Sequence, residues 1–251
     1  MAVVHDADQP SRNLVDNVPE PAPYLFVEHV LPPGESVPER RGHGTCRTFV
    51  VVTGRVRLEF VDPAGDPCVR HYDAHEGWHA PEGSVYRVVN DGTDKVLLLE
   101  AGDPDGPGRI PAGNGAAAMA PCQDVSRYAV IKPFGHEVWY TANLPGSRYV
   151  VRKICMTAGH RSALRSYAHM TETSLLLDGQ MTVVNGVPAP ANRAVAIDVD
   201  RLVRTAHRPR TRWSSPPNTV HGVIVDSDCT WIAVSTPEVD DVVTWDGSAR
   251  I

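Results

Sequence analysis

Hydrophobic and polar residues alternate along much of this chain with the two-residue period of β-strands. In segment 47–60 an apolar run reaches Gly54, after which Val56, Leu58 and Phe60 alternate with charged residues. Two strands joined by a turn explain this pattern better than a helix does. Further β-rich runs lie at 95–100, 149–156, 174–177, 181–184 and 230–234. Since no segment shows a long apolar stripe of helical period, the pattern predicts an all-β fold.

The chain also divides into two halves that look like copies of each other. The spans Gly34 to Gly54 and Gly159 to Gly179 are equal in length, and each half then has a proline-containing turn followed by a strand. Between the halves, residues 102–124 have the glycine- and proline-rich composition of a linker. A repeat of this size built from short strands predicts two stacked barrels. We predict an N-terminal arm at 1–22, a first barrel at 23–103, a linker at 104–127 and a second barrel at 128–251.

Composition narrows the class of protein. The 251 residues are 42% hydrophobic and 22% charged, as in an ordinary globular protein, and the 22 prolines and 20 glycines suit many turns. A net charge of −6 argues against a nucleic-acid partner. No apolar run is long enough to span a bilayer, the N-terminus lacks the apolar core of a signal peptide, and the five cysteines form no paired motif. These features predict a cytoplasmic location without a membrane partner.

The second half carries a recognisable motif at Gly159, Glu172, Gly179, Pro216 and His221. Its spacing resembles that of the cupin superfamily, and the repeat makes the whole chain similar to a bicupin. The resemblance implies two tandem double-stranded β-helix (jelly-roll) barrels, whose interiors hold a small ligand or a metal. Three stretches, 132–137, 164–172 and 234–243, look like the mannose-6-phosphate-isomerase-like group of cupins.

Both halves depart from the cupin metal-binding pattern. In the second half, Arg165 and Tyr167 stand where the family has two histidines. In the first half, every ligand position is changed, and those positions carry Arg40, Gly42, Arg47 and Tyr86. We therefore expect the first barrel to be a degenerate cupin barrel without metal that acts as a structural partner. An anion pocket lined by its two arginines is the alternative.

One interpretation of the second barrel is a metal site. Glu172 and His221 would be two ligands of one divalent ion, Fe, Mn, Ni or Zn. A third ligand is needed, and His169 is the candidate nearest in sequence, with Tyr167 and His207 as alternatives. The resemblance places these side chains inside the barrel.

The other interpretation uses the same residues without metal. Arg165 would bind a carboxylate or phosphate with its fixed positive charge, and His169 would assist in substrate binding. His221 would be the base, and Tyr167 or Glu172 the acid partner. The charge of an arginine beside a metal position opposes a cation there.

The sequence thus favours an enzyme acting on a small anionic metabolite. Resemblance to the isomerase-like cupins implies isomerase- or epimerase-type proton transfer on a polar, sugar- or carboxylate-like substrate. A metal-dependent oxygenase, decarboxylase or lyase is the first alternative, and a non-catalytic ligand-binding bicupin is the second. Family resemblance also implies a homodimer. The basic segment 201–212 is interpreted as a solvated loop, with gating of an anionic substrate as the alternative.

Overall fold

A computed structural model describes residues 11–15, 22–41, 45–104, 121–188, 197, 199–237 and 242–245. Apart from a 3₁₀ turn at Val199–Arg201, the regular structure in these ranges consists of strands, as the alternating pattern predicted. In the same ranges no helix has the length and apolar character needed to cross a membrane.

The first half contains ten strands. They are β1 (Ser11–Asn13), β2 (Leu25–Leu31), β3 (Ser36–Arg41), β4 (Arg47–Thr53), β5 (Arg55–Val61), β6 (Pro67–Asp73), β7 (Gly77–Ala80), β8 (Val85–Val89), β9 (Val96–Gly102) and β10 (Gln123–Asp124). They form a six-stranded sheet in the order β1-β2-β9-β4-β7-β10 and a four-stranded sheet in the order β3-β8-β5-β6. We call this pair of sheets the first barrel.

The second half contains the remaining strands. They are β11 (Tyr128–Lys132), β12 (Gly135–Trp139), β13 (Val150–Met156), β14 (Leu164–Tyr167), β15 (Glu172–Asp178), β16 (Met181–Pro188), β17 (Val203–His207), β18 (Arg212–Ser215), β19 (Thr219–Val225), β20 (Cys229–Ser235) and β21 (Val242–Trp245). The two sheets have the orders β11-β12-β13-β20-β15-β18 and β17-β16-β19-β14-β21. We call them the second barrel.

The strand order confirms the repeat. The core β2-β9-β4-β7 of the first barrel matches β13-β20-β15-β18 of the second, and β3-β8-β5-β6 matches β14-β19-β16-β17 read in reverse. Two antiparallel sheets of four strands facing each other in this order make a jelly roll. The prediction of two tandem double-stranded β-helix barrels is therefore confirmed.

The alternation in the sequence decides which side chains face inward. In β5, Val56, Leu58 and Phe60 are buried while the residues between them are partly exposed. The lumen of the first barrel is closed by aromatic packing: the rings of Phe49 and Trp78 stack with centroids 4.7 Å apart. This barrel is thus filled by its own side chains.

The two six-stranded sheets pack face to face and form one continuous apolar layer. The layer includes Phe26, Val50 and Leu99 from the first barrel and Leu175 and Ile232 from the second. This burial is the main apolar contact between the barrels. The first barrel therefore covers a sheet face that the second would otherwise expose.

Polar contacts fix the same interface at one edge. Buried Glu28 on β2 forms ion pairs with Arg12 on β1 (2.6 Å) and with Arg210 in the β17–β18 turn (2.8 Å). Neither ion pair has the geometry of a hydrogen bond. Arg212 donates to the carbonyl oxygen of Asn13 at 2.7 Å. The side chains of two arginines of the basic segment thus contact the first barrel, which argues against a gating role for them.

Parts of the predicted arm and linker belong to the first barrel's sheet. Strand β1 pairs with β2, and β10 pairs with β7. Residues 105–120 of the predicted linker and residues 1–10 and 16–21 of the predicted arm lie outside the described residues. The domain boundaries themselves stay predictions.

We predict that the two motif glycines of the second barrel differ in their tolerance of alanine. Gly179 (φ 87°) has no room for a Cβ, which would meet the carbonyl oxygen of Asp228 and lie 2.9 Å from the Cα of Cys229. Gly159 (φ 77°) has nothing within 4 Å. Gly159→Ala should lower the free energy of unfolding by about 1–2 kcal/mol, the cost of a left-handed residue. Gly179→Ala should cost about 1–3 kcal/mol more, because the clash adds to it.

Urea denaturation of the two variants against wild type measures both costs. Gly159→Ala is the matched control, since it changes the same residue type at the same backbone conformation. Equal destabilisation by the two substitutions would contradict the prediction.

Candidate functional site

The lumen of the second barrel contains a cavity of about 220 Å³. Strand alternation places Arg152 (β13), Glu172 (β15) and His221 (β19) on the inner faces of their strands, together with Arg165 (β14). All four line this cavity. Three of the four were predicted as site residues, whereas Arg152 was not.

Glu172 is held by an ion pair inside the barrel. Nη2 of Arg152 lies 2.7 Å from Oε2 of Glu172, and both side chains are less than a tenth exposed. The guanidinium of Arg152 also lies over the ring of Trp139, 5.2 Å from its centroid. The charge of Glu172 is therefore neutralised within the barrel.

His221 presents an unprotonated nitrogen. Nδ1 lies 3.0 Å from the carbonyl oxygen of Thr219, and since a carbonyl can only accept, Nδ1 carries the proton. Nε2 then holds a lone pair, and it is buried without a hydrogen-bond partner in the described chain. Burial and the charge of Arg165 lower the pKa of His221 to about 4, although Glu172 acts in the opposite direction. The imidazole is neutral at neutral pH and can accept a proton.

Arg165 and Tyr167 share one face of β14, as their spacing predicted. The guanidinium of Arg165 lies 5.8 Å from the centre of the Tyr167 ring, which in turn stacks on His221 with centroids 5.8 Å apart. Tyr167 is buried and lies behind His221, outside the residues that line the cavity. Arg165 is exposed and, among the residues described, has no carboxylate at ion-pair distance. It is the cation of this group that can receive an anion.

The structure does not bring the predicted third metal ligands into the cavity. His169 is exposed in the bend that connects β14 to β15 and does not line the cavity. His207 is buried outside it, with its ring edge against Trp213 and its Nδ1 3.1 Å from Oγ1 of Thr211. Their roles as ligands or substrate contacts stay predictions that this geometry does not support.

The donor set does not fit a divalent metal. In the ranges that the structure covers, no three His, Cys, Asp or Glu residues are grouped as a metal site would require. Of the two candidates, Glu172 is already paired with Arg152, and His221 lies beside Arg165. Two guanidinium groups lie beside these candidate ligands, and their positive charges oppose the binding of a metal cation there.

At Arg47 and Tyr86, the two corresponding positions whose side chains the structure describes, the first barrel offers no open site. Arg47 is buried with its Nε 3.0 Å from Glu100, which also contacts Nε2 of His29 at 2.8 Å. Tyr86 packs edge-on against Phe49 in the aromatic core. Arg47 thus has its charge matched inside the barrel, which favours the structural interpretation over an anion pocket. The side chain of Arg40 lies outside what the structure describes.

Arg152 and the aromatic wall were missed by sequence reasoning. A signal for Arg152 existed: it shares the inner face of a predicted strand with apolar Ile154 and Met156, where an unpaired charge is unexpected. The cavity is also lined by Trp213 and Trp231, whose ring centroids lie 6.2 Å apart. Their isolated positions in the sequence gave no pattern that could be recognised.

Comparison with known proteins supports the fold. No protein-family model and no curated protein sequence matches this chain. The structure is similar to Lactobacillus farciminis oxalate decarboxylase in its formate complex (12% identity, TM-score 0.67, 93% of this chain and 83% of that one). It is also similar to variants of Bacillus subtilis oxalate decarboxylase, for example at 13% identity and TM-score 0.67, over 93% of this chain and 74% of that one.

These similarities confirm the fold of two tandem double-stranded β-helix barrels. At such low identity they establish the fold alone. The more specific resemblance to mannose-6-phosphate-isomerase-like cupins finds no counterpart among these structures. Another of the Bacillus subtilis structures comes from work on the Mn(II) centres of that enzyme.

We predict that His221 makes stability depend on pH in the acid range. Its pKa is about 4 in the folded protein against 6.5 ordinarily, so between these values the unfolded chain binds a proton that the folded chain does not. Stability should fall as the pH drops from 6.5 to 4, by about 3 kcal/mol from this residue. In His221→Gln this part of the loss should be absent.

Denaturation curves measured at several pH values for wild type and variant test this. His79 in the first barrel also has its pKa lowered to about 4 by burial. It remains in both proteins, so only the difference between the two pH profiles reports on His221. Parallel profiles would show that His221 does not titrate in this way.

Proposed function

We propose that the second barrel is the active site of an enzyme that acts on a small carboxylate. The observation that carries this proposal is the arrangement of Arg165 and His221: a guanidinium without an ion-pair partner in the described chain, next to a buried imidazole with a free lone pair. The first group can bind a carboxylate, and the second can take a proton from the bound molecule.

The charges explain why substrate is needed to activate the base. In the protein alone, burial is the larger cause of the low pKa of His221, and the charge of Arg165 lowers this pKa further. A bound carboxylate would offset that positive charge and so raise the pKa of His221 toward neutrality. Proton transfer to His221 would therefore be easier with substrate bound than without it. The Tyr167 ring, which stacks on the same imidazole from outside the cavity, would position His221.

The reaction class is proton transfer to or from carbon next to the carboxylate. Such a transfer is common to isomerisation and to decarboxylation, in which the carbon that loses CO₂ must gain a proton. The similar structures are oxalate decarboxylases, which supports the decarboxylase alternative better than sugar-phosphate isomerisation. A non-catalytic barrel would return the bound carboxylate unchanged.

We expect Arg165→Ala to weaken acetate binding about 10- to 100-fold, because one charged hydrogen-bond partner worth about 1.5–3 kcal/mol is lost. The measurement is an NMR titration of the purified protein with acetate. Arg55→Ala is the matched control, since this exposed arginine of the first barrel lies far from the cavity. If Arg165→Ala bound acetate as wild type does, Arg165 would not be the carboxylate-binding residue.

A metal-dependent decarboxylase is the alternative, and the Mn(II) centres of the Bacillus subtilis enzyme support it through the shared fold. The pairing of Glu172 with Arg152 opposes it. We therefore expect purified protein to contain well below one equivalent of manganese, iron, nickel or zinc, and a chelator to leave carboxylate binding and turnover unchanged. A stoichiometric metal whose removal abolished turnover would establish the alternative instead.

A further inference from the structure

The cavity of the second barrel changes from polar to apolar along the barrel axis. On β13 the inner face passes from Arg152 to Ile154 and Met156, and on β19 it passes from His221 to Val223. Antiparallel β20 runs the other way and brings the apolar residues to the same end. The Arg152–Glu172 pair, Arg165 and His221 therefore lie at one end of the cavity. Apolar side chains predominate in its body, where Glu137, His160 and Ser162 also line the wall.

The apolar body of the cavity is large and partly aromatic. Its walls include Ile154, Met156, Val183, Trp213, Val223 and Trp231. These residues belong to the hydrophobic cluster that fills the rest of the lumen. A ligand that is polar throughout would bind weakly against this wall, because its polar groups would lose their hydrogen bonds to water without gaining new ones.

The charges around the cavity admit one negative group. Arg152 is neutralised by Glu172, which leaves Arg165 to balance a ligand. Glu137 also lines the cavity, with Oε2 accepting a hydrogen bond from Nε1 of Trp139 at 3.0 Å. A second carboxylate on the ligand would meet the negative charge of Glu137. A dianion such as oxalate is therefore a poor match.

The size of the cavity sets the length of the apolar part. A volume of about 220 Å³ exceeds the roughly 150 Å³ of an apolar cavity that holds one benzene molecule, and the difference is enough for a carboxylate. A long acyl chain exceeds this volume, and a sugar phosphate with several hydroxyl groups does not match the apolar wall.

We infer that the ligand of the second barrel is a monocarboxylate with an apolar tail about the size of a phenyl ring. The carboxylate binds at Arg165, beside His221, and the tail lies against Trp213 and Trp231. This inference rests on the proposed function, because it specifies the substrate class of the same site. It separates this chain from enzymes that act on oxalate.

The test compares three probes by NMR titration of the full chain: phenylacetate, acetate and oxalate. Phenylacetate should bind tighter than acetate by about 10-fold or more, because only its ring buries apolar area against the wall. Oxalate should bind no tighter than acetate. Oxalate binding as tight as phenylacetate, or equal affinities for phenylacetate and acetate, would overturn the inference and leave the proposed function intact.

The variant Trp213→Ala tests the position of the tail. It should reduce phenylacetate affinity about 5-fold or more while acetate affinity stays within about 2-fold, since acetate does not reach the indole. Tyr128→Ala, which removes an exposed aromatic ring outside the cavity, is the matched control and should change neither affinity. Retained acetate binding shows that the Trp213→Ala variant is folded. The comparison of the three probes on wild-type protein does not depend on this variant.

The two failures are distinguishable. If none of the three carboxylates bound to wild type, the proposed carboxylate site itself would be wrong. If acetate bound in an Arg165-dependent manner but the ring gained no affinity, the site would stand and the assignment of an apolar-tailed ligand would fail.

Discussion

The ion pair between Arg152 and Glu172 determines what the second barrel can do. Their strands are not neighbours, because β20 lies between them, and the Arg152 side chain crosses that strand where the small residue Ala233 stands opposite it. A buried pair of this kind contributes little net stability, but removing either partner would leave a charge in the lumen. The pair neutralises the carboxylate and leaves Arg165 as the group that receives an anion. The polarity of that end of the cavity follows from this arrangement, whereas the neutral state of His221 follows from its burial and from the charge of Arg165.

Much of the fold could be predicted from the sequence because local rules act on it directly. The alternation of Val56, Leu58 and Phe60 fixes which face of β5 is buried. Gly54 and Gly179 stand at turns with positive φ, where other residues are strained. Each follows an earlier glycine, Gly34 or Gly159, at the same interval, and this equal interval revealed the repeat. Burial of one face and turn chemistry are properties of short segments, and short segments can be recognised without knowing their neighbours.

The site was predictable only in part, for a physical reason. Arg165 and His221 could be found because a motif places them on known strands. The partner of Glu172 depends on which side chain crosses from a strand two positions away, and the sequence does not contain that geometry. The bend after Tyr167 turns His169 toward solvent, although two-residue spacing alone would keep it with Arg165. The position at which β14 ends therefore determines that His169 is exposed and does not line the cavity.

The two barrels carry opposite charges at one equivalent position. Arg47 follows Gly34 at the same interval at which Glu172 follows Gly159, and each has its counter-charge on another strand of the same six-stranded sheet. Replacing Arg47 or Glu172 alone by a residue of another charge would leave its partner, Glu100 or Arg152, buried without a counter-charge. A change of charge at this position in either half therefore requires a second, compensating substitution. This requirement restricts how the two barrels can diverge.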